Sequence, residues 1–372
     1  KSMKKAILKI FFKPLTLLNK IIKKDENLIF FYSNLGFRDN VKAFYDYLIE
    51  RGYNKKYKIA VSVNDYMKYE NNAPENVVFM ANKPGIKTFM KAKYAFYCFG
   101  KYPIKPAKSQ TVVNLWHGTP LKKIGNLEPA LKNIDYNFFT FVVTASEMYR
   151  PIMAKIFGCS ENNVEVLGNP RNDELFLNDK KTDELIKGKS EKVILWLPTY
   201  REYNDDFVIS ILNSSQLNEL NEVLAEKDIR LIVKLHPLQS AGEAKRFSNI
   251  EFMSQKDIEE KGFTVYTLLR NADGLITDYS SVYFDYLLLD RPIGFAIDDI
   301  STYENKRGFV FENPKEYMPG MEINSLEDIE KFVDDIYGGR DLYKKERAEV
   351  NRKVNNYRDG NSAERIAKRV FG

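Results

Sequence analysis

The strongest constraint on this chain is an alternation of short apolar runs with longer amphipathic stretches. Leu28–Tyr32, Tyr57–Val63, Val77–Met80, Ala95–Phe99, Thr111–Trp116, Phe141–Ala145 and Val164–Gly168 read as strands. Asn40–Arg51, Pro84–Lys91 and Glu147–Phe157 read as helices between them. Strand–helix alternation of this kind argues for a parallel sheet covered by helices. After a polar stretch over residues 176–191 the pattern restarts. Lys192–Leu197, Arg230–Leu235, Ile250–Met253, Gly274–Thr277 and Pro292–Ala296 read as strands. Leu217–Lys227, Val265–Asn271, Ser280–Leu289, Ser325–Ile336, Asp341–Val354 and Ser362–Phe371 read as helices. A chain of 372 residues has room for two domains. The expected organisation is α/β, with two Rossmann-like domains facing each other across a cleft. Residues 25–175 form the first domain, 176–191 the linker and 192–345 the second. Residues 346–372 are helical and free to cross back to the first domain.

Residues 1–24 differ from the rest. Lys1, Lys4, Lys5, Lys9, Lys13, Lys20, Lys23 and Lys24 occur there without an acidic residue, interleaved with Ile7, Leu8, Ile10, Phe11, Phe12, Leu15, Leu17, Leu18, Ile21 and Ile22. A basic amphipathic helix, with a break at Pro14, is the reading, and such a helix suits an anionic membrane surface. The alternative is a surface helix packed on the protein body. No run approaches the roughly 18 apolar residues of a spanning helix. Lys9 and Lys13 interrupt the apolar stretch, and no small-residue cleavage site follows, which argues against a signal peptide. Met3 reads as a native start, or the chain as a piece of a longer protein. The formal net charge of +6 is too modest to point to nucleic acid. Cys98 and Cys159 have neither metal-ligand spacing nor a disulfide pattern, so a reduced, cytosolic protein is expected.

The chain has two histidines, His117 and His236. Each follows a strand-like run and precedes Gly or Pro, in Leu115-Trp116-His117-Gly118-Thr119-Pro120 and Lys234-Leu235-His236-Pro237. Carboxyl ends of strands are where open α/β sheets bind ligands. A histidine exposed there is placed to act as a general base. Its alternative is a histidine satisfied within a turn. Gly118 lets backbone approach a ligand, and Thr119-Pro120 opens a helix or turn.

Four further segments carry candidates. In Gly168-Asn169-Pro170-Arg171-Asn172-Asp173, Arg171 either reaches a phosphate or forms a structural Arg–Asp pair. In Leu197-Pro198-Thr199-Tyr200-Arg201, Arg201 suits an anion, and Tyr200 stacks on a base or packs. In Thr277-Asp278-Tyr279-Ser280-Ser281, a helix start with two hydroxyls suits an anion, while capping by Asp278 or Ser280 is the plain alternative. Asp285 lies one turn beyond Ser281. Glu304-Asn305-Lys306-Arg307-Gly308-Phe309 reads as a loop that clamps a phosphate or simply faces solvent. No metal cluster, P-loop or G-x-G-x-x-G pattern occurs.

Taken in order, Asn114–Pro120, Gly168–Asp173, Pro198–Arg201, Lys234–Pro237 and Thr277–Ser281, followed by Asp285 and Asp290-Arg291-Pro292, resemble the CDP-glycerol glycerophosphotransferase family. Its members build teichoic acids and some capsules in bacteria. The resemblance covers residues 28–360 approximately. It implies a GT-B fold and transfer of glycerol phosphate from CDP-glycerol to a hydroxyl of a prenyl-diphosphate-linked saccharide, releasing CMP, with a primase-type single addition. It also implies a peripheral position on the cytoplasmic membrane face. His117 then corresponds to the base acting on the acceptor hydroxyl, and His236 to a second essential histidine near the donor pyrophosphate. Ser280 and Ser281 correspond to pyrophosphate ligands, Arg201 and Arg307 to cationic partners of the donor, and Asp285 to a holder of the polyol. Gly118, Thr119, Arg171, Asp278 and Tyr200 are further candidates. No cofactor is firmly implied, and Mg²⁺ carried in with the donor is compatible. The partners implied are CDP-glycerol, the lipid-linked acceptor and the membrane surface, with no nucleic acid. Alternatives are a CDP-ribitol-dependent or capsule enzyme, a GT-B glycosyltransferase using a nucleotide sugar, and a non-catalytic membrane-bound scaffold.

Overall fold

A computed structural model describes residues 2–132, 134–198, 211–234 and 247–372, with side chains from Phe12 onward. The chain divides into two compact units. The first comprises Lys1–Thr119, Ile124–Asp173 and Asn356–Gly372, and the second Pro120–Lys123 and Glu174–Asn355.

Helix α1 (Ser2–Ile21) begins the first unit and continues through Pro14, where the sequence had a break. Its seven strands are β1 (Asp25–Ser33), β2 (Lys58–Val63), β3 (Val77–Met80), β4 (Ala92–Tyr97), β5 (Thr111–Asn114), β6 (Phe141–Thr144) and β7 (Val164–Val166). They pair in the order β3-β2-β1-β4-β5-β6-β7, every pair parallel. Helices α2 (Asp39–Glu50), α3 (Asn82–Lys91) and α4 (Arg150–Phe157) belong to the same unit. Ile29, Phe30 and Phe31 are each fully buried, as strands covered on both faces require. In α2 the buried positions Val41, Phe44, Tyr45 and Leu48 form one helical stripe. Phe31 stacks on Phe96 at 5.3 Å, joining β1 to β4 inside this core.

The second unit repeats the plan. Helix α5 (Lys180–Lys187) lies within the stretch read as the linker, capped by Asp179 and tied through Asp183 to Arg270. Strands β8 (Lys192–Leu197), β9 (Ile229–Lys234), β10 (Ile250–Met253), β11 (Gly274–Thr277), β12 (Ile293–Phe295) and β13 (Met321–Glu322) form a parallel sheet ordered β10-β9-β8-β11-β12-β13. Its helices are α6 (Ser214–Glu226), α7 (Gln255–Glu260), α8 (Val265–Asn271), α9 (Val282–Tyr286), α10 (Ile300–Lys306), α11 (Leu326–Gly338) and α12 (Lys344–Val354). An Asn213–Gln216 capping box starts α6. Gly339, left-handed at φ +67°, ends α11. Helix α13 (Ser362–Phe371) belongs to the first unit and buries Ala363, Ile366 and Ala367 in its core.

Both sheets have the doubly wound order, in which the strand order reverses beside the first strand. The ligand crevice of such a sheet lies outside the carboxyl ends of the strands at that reversal. In the first unit these are β1 and β4, and in the second β8 and β11.

Candidate active site

The loop after β5 is built by two left-handed residues and a set of buried polar contacts. Trp116 has φ +54° and Gly118 φ +114°. The Asn114 carboxamide oxygen accepts the Trp116 N–H at 3.0 Å, a side-chain turn of the kind Asn favours. Asn40, fully buried at the start of α2, donates its Nδ2 to the carbonyls of Leu115 at 3.1 Å and Trp116 at 3.0 Å. Its Oδ1 accepts the Arg171 backbone N–H at 3.0 Å. The Arg171 guanidinium, through Nη1, donates to the His117 carbonyl at 2.9 Å and to Asp39 Oδ2 at 2.8 Å. A Cβ on Gly118 would stand 2.2 Å from Arg171 Nη2, so only glycine fits. Loops after β1, β5 and β7 thus converge on the backbone of His117.

The His117 ring is half-buried rather than exposed at the sheet edge. It lies nearly parallel to Phe99 at 5.0 Å and against Trp116 at 3.8 Å. Burial lowers its pKa to about 4, with the Asp39 carboxylate pulling upward and Arg171 pushing downward. At neutral pH the imidazole is uncharged and able to accept a proton.

Thr119 Oγ1 and Asn169 Nδ2 are buried beside this loop without a hydrogen-bond partner among the described residues. Arg171 pairs with Asp39 and not with its sequence neighbour Asp173. The Asp173 carboxylate instead accepts the N–H groups of Ser362 at 2.9 Å and Ala363 at 2.8 Å, capping α13. Asp39, Asn40 and Phe99 were absent from the sequence-based candidates. The available signal was position: Asp39 and Asn40 follow β1 and Phe99 follows β4, the two strands at the sheet's reversal.

In the second unit, His236, Arg201 and Tyr200 lie outside the described residues. Strand β11 ends at Thr277, whose hydroxyl donates to the Leu197 carbonyl at 3.0 Å. Asp278 follows, 3% exposed. Ser280 and Ser281 are half-buried and precede α9, which begins at Val282 rather than at Ser280. Asp285 is fully buried and accepts the Tyr266 hydroxyl at 2.7 Å. Tyr279 donates to Asp299 at 2.9 Å and stacks on Tyr303 at 4.2 Å. Residues 304–306, read as loop, complete α10, and exposed Arg307 follows as its C-cap. Gly308 accepts the Lys123 N–H at 3.1 Å, and Val310 donates to the Leu121 carbonyl at 2.8 Å. This strap sets Lys122 and Lys123 beside the Arg307 segment, with the Lys122 ammonium 5.3 Å from the Tyr303 ring centre. Neither lysine was a sequence-based candidate. No group of three or more metal-ligating side chains occurs among the described residues.

Residues 15–372 match the family described as CDP-Glycerol:Poly(glycerophosphate) glycerophosphotransferase. A teichoic acid glycerol-phosphate primase of Bacillus subtilis (strain 168) is 30% identical, over 70% of this chain and 67% of that protein. A teichoic acid glycerol-phosphate transferase of Staphylococcus aureus (strain NCTC 8325 / PS 47) is 28% identical, over 100% of this chain and 99% of that protein. Among solved structures, a variant of the wall teichoic acid polymerase TagF superposes with a TM-score of 0.79, at 22% identity, covering 98% of this chain and 92% of that one. The last likeness is one of fold, GT-B in class.

Proposed function

Because the chain belongs to the CDP-glycerol:poly(glycerophosphate) glycerophosphotransferase family, we propose that it moves glycerol phosphate from CDP-glycerol to a hydroxyl of a lipid-linked saccharide, releasing CMP. A single addition per acceptor is the favoured mode, in keeping with the primase among its relatives. The observation that carries this reading is His117, an uncharged imidazole whose own carbonyl accepts from Arg171 and whose loop Asn40 holds through the preceding Trp116 carbonyl.

In this reaction His117 takes the proton of the acceptor hydroxyl as the oxygen attacks the phosphorus next to glycerol. The new P–O bond forms while the bridging P–O bond of the pyrophosphate breaks, and CMP leaves with that electron pair. The proton remains on His117 until solvent removes it. Phosphoryl transfer of this kind is driven by positioning and by fixed positive charge near the leaving phosphate. Arg307, Lys122, Lys123, Arg201 and His236 take that second task in this reading. Ser280 and Ser281 bind the pyrophosphate, and the Asp285–Tyr266 pair serves the polyol. Asp39, Asn40 and Arg171 are positioning residues.

The membrane role rests on α1. Asn19 is fully buried and docks the helix by donating to the Lys105 carbonyl and Gln110 Oε1, each at 3.0 Å. Leu17, Leu18 and Ile21 stay exposed, beside exposed Lys13 and Lys20. An apolar and basic face of this kind suits the inner leaflet. No helix among the described residues is long and apolar enough to cross a membrane.

The test is CMP release from CDP-glycerol with a prenyl-diphosphate disaccharide, and the mass of the product. One added glycerol phosphate per acceptor is expected. His117→Ala should lower kcat about 10²–10⁴-fold, the span of a lost general base, with CDP-glycerol binding retained. Turnover at the normal rate by that variant, or faster transfer from CDP-ribitol, would overturn the base or the donor assignment respectively.

A further inference from the structure

The first unit holds a cavity of about 260 Å³ that the reaction described so far does not use. It is lined by Tyr97 at the end of β4 and Asn114 at the end of β5, and by Trp116, Leu131, Tyr136 and Phe157. It therefore lies at the carboxyl edge of the sheet, where doubly wound folds bind ligands.

Two features of the lining define an occupant. Four of the lining side chains are aromatic, with the Lys101 ammonium over the Tyr136 ring, which suits a flat-faced ring carrying oxygen atoms. In two of these lining residues the Tyr97 hydroxyl and the Trp116 indole N–H are buried without a hydrogen-bond partner among the described residues. A buried polar group left unpaired is unfavourable, and a guest able to accept from either donor would relieve it. Burial pushes the Tyr97 pKa well above its ordinary value, so both groups offer a proton. A ring with C–H faces and oxygen acceptors on its rim answers both features. An isoprenoid chain would leave both donors unpaired. The volume is below the roughly 300–1,000 Å³ of drug-sized sites, which limits the guest to about one sugar ring.

Trp116 is a second, independent pointer. Its backbone sits in the left-handed region at φ +54°, where a residue with a bulky side chain is strained. Glycine would relieve that strain, and an indole held there against it is the mark of a used side chain. The same indole touches the His117 ring at 3.8 Å, so the cavity lies one side chain from the base.

We propose that this cavity seats one saccharide ring of the acceptor, stacked on Trp116 and hydrogen-bonded by Tyr97 Oη and Trp116 Nε1. The inference rests on the saccharide acceptor proposed above.

The chain has two tryptophans, Trp116 and Trp196, and Trp196 is buried in the second unit's core. In a Trp196→Phe protein, indole fluorescence reports Trp116 alone. That protein, without donor, is titrated with N,N′-diacetylchitobiose, a soluble amino-sugar disaccharide, and in parallel with CMP. A saturable change with the disaccharide and none with CMP is expected. In the otherwise native chain, Tyr97→Phe should raise the acceptor KM about fivefold, the size of one lost hydrogen bond, and Leu131→Phe should raise it by filling the cavity. The CDP-glycerol KM should stay unchanged in both. A silent Trp116, a response to CMP, or an unchanged acceptor KM in both variants overturns the proposal. The two readings fail separately. Absence of transfer by the native chain sinks the proposed reaction, and the titration still decides the cavity. Normal transfer with a silent Trp116 and unchanged KM sinks the cavity alone.

Discussion

Gly118→Ala offers the most direct test of how the histidine loop is held. At φ +114° an L-residue is strained by roughly 1–3 kcal/mol. The new Cβ would also meet Arg171 Nη2 at 2.2 Å and Cζ at 3.1 Å. The guanidinium has little freedom to retreat, since its side chain is 9% exposed and Nη1 holds both Asp39 and the His117 carbonyl. Breaking a buried pair of this kind costs about 3–5 kcal/mol. Together the two terms give a loss of about 4 kcal/mol or more, a large part of the roughly 5–15 kcal/mol that stabilises an ordinary protein. The assay is urea unfolding of Gly118→Ala, Arg171→Leu and the double variant, extrapolated to water. With the guanidinium already gone, Gly118→Ala should cost only its backbone strain. The double variant should therefore be more stable than the sum of the single losses predicts, by about 3 kcal/mol. Single losses that add to within about 0.5 kcal/mol, as independent sites do, would refute the clash.

Other outcomes follow from the same contacts. The acid limb of kcat/KM reports the free enzyme's base, so it should lie well below pH 6.5, near the pKa of about 4 at His117. Arg171→Leu should move it up and Asp39→Asn should move it down; a limb at pH 6.5 in the native enzyme would refute the assignment. Because the folded pKa is the depressed one, folding stability from this group is full above pH 6.5 and is lost as pH falls towards 4. Thermal melts across that window should show the loss, and His117→Phe should lessen it. Arg347 is fully buried, donating to Asp341 at 2.9 Å and Asp290 at 3.1 Å. Arg347→Met should cost about 1.5–3 kcal/mol in denaturant unfolding, the size of hydrogen bonds to charged groups, since the Asp290 and Asp341 carboxylates are partly exposed and water can replace their cation. Asp173→Ala removes the cap of α13 and should cost about 0.5–2 kcal/mol, with faster hydrogen exchange at Ser362 and Ala363.

The sequence by itself determined the two α/β units and the position of His117 just past the end of a strand. Runs such as Leu28–Tyr32 and Phe141–Ala145 are apolar throughout because their strands are covered on both faces, and that burial is written in consecutive residues. Where burial is slight, the signal fades. Polar α5, short α7 and α10, and the two-residue β13 gave no readable period. Only the tertiary structure decided what surrounds His117. Asp39 and Arg171 are separated by 132 residues, and Asn40 and Arg171 by 131. Local periodicity tells which face of an element is buried, but not which loops meet. That meeting depends on sheet order, which sets β1 beside β4 and brings the loops after β1, β5 and β7 to one edge. The lowered pKa, the need for glycine at 118 and the cavity behind Trp116 all arise from that convergence, so none of them is carried by neighbouring residues in the chain.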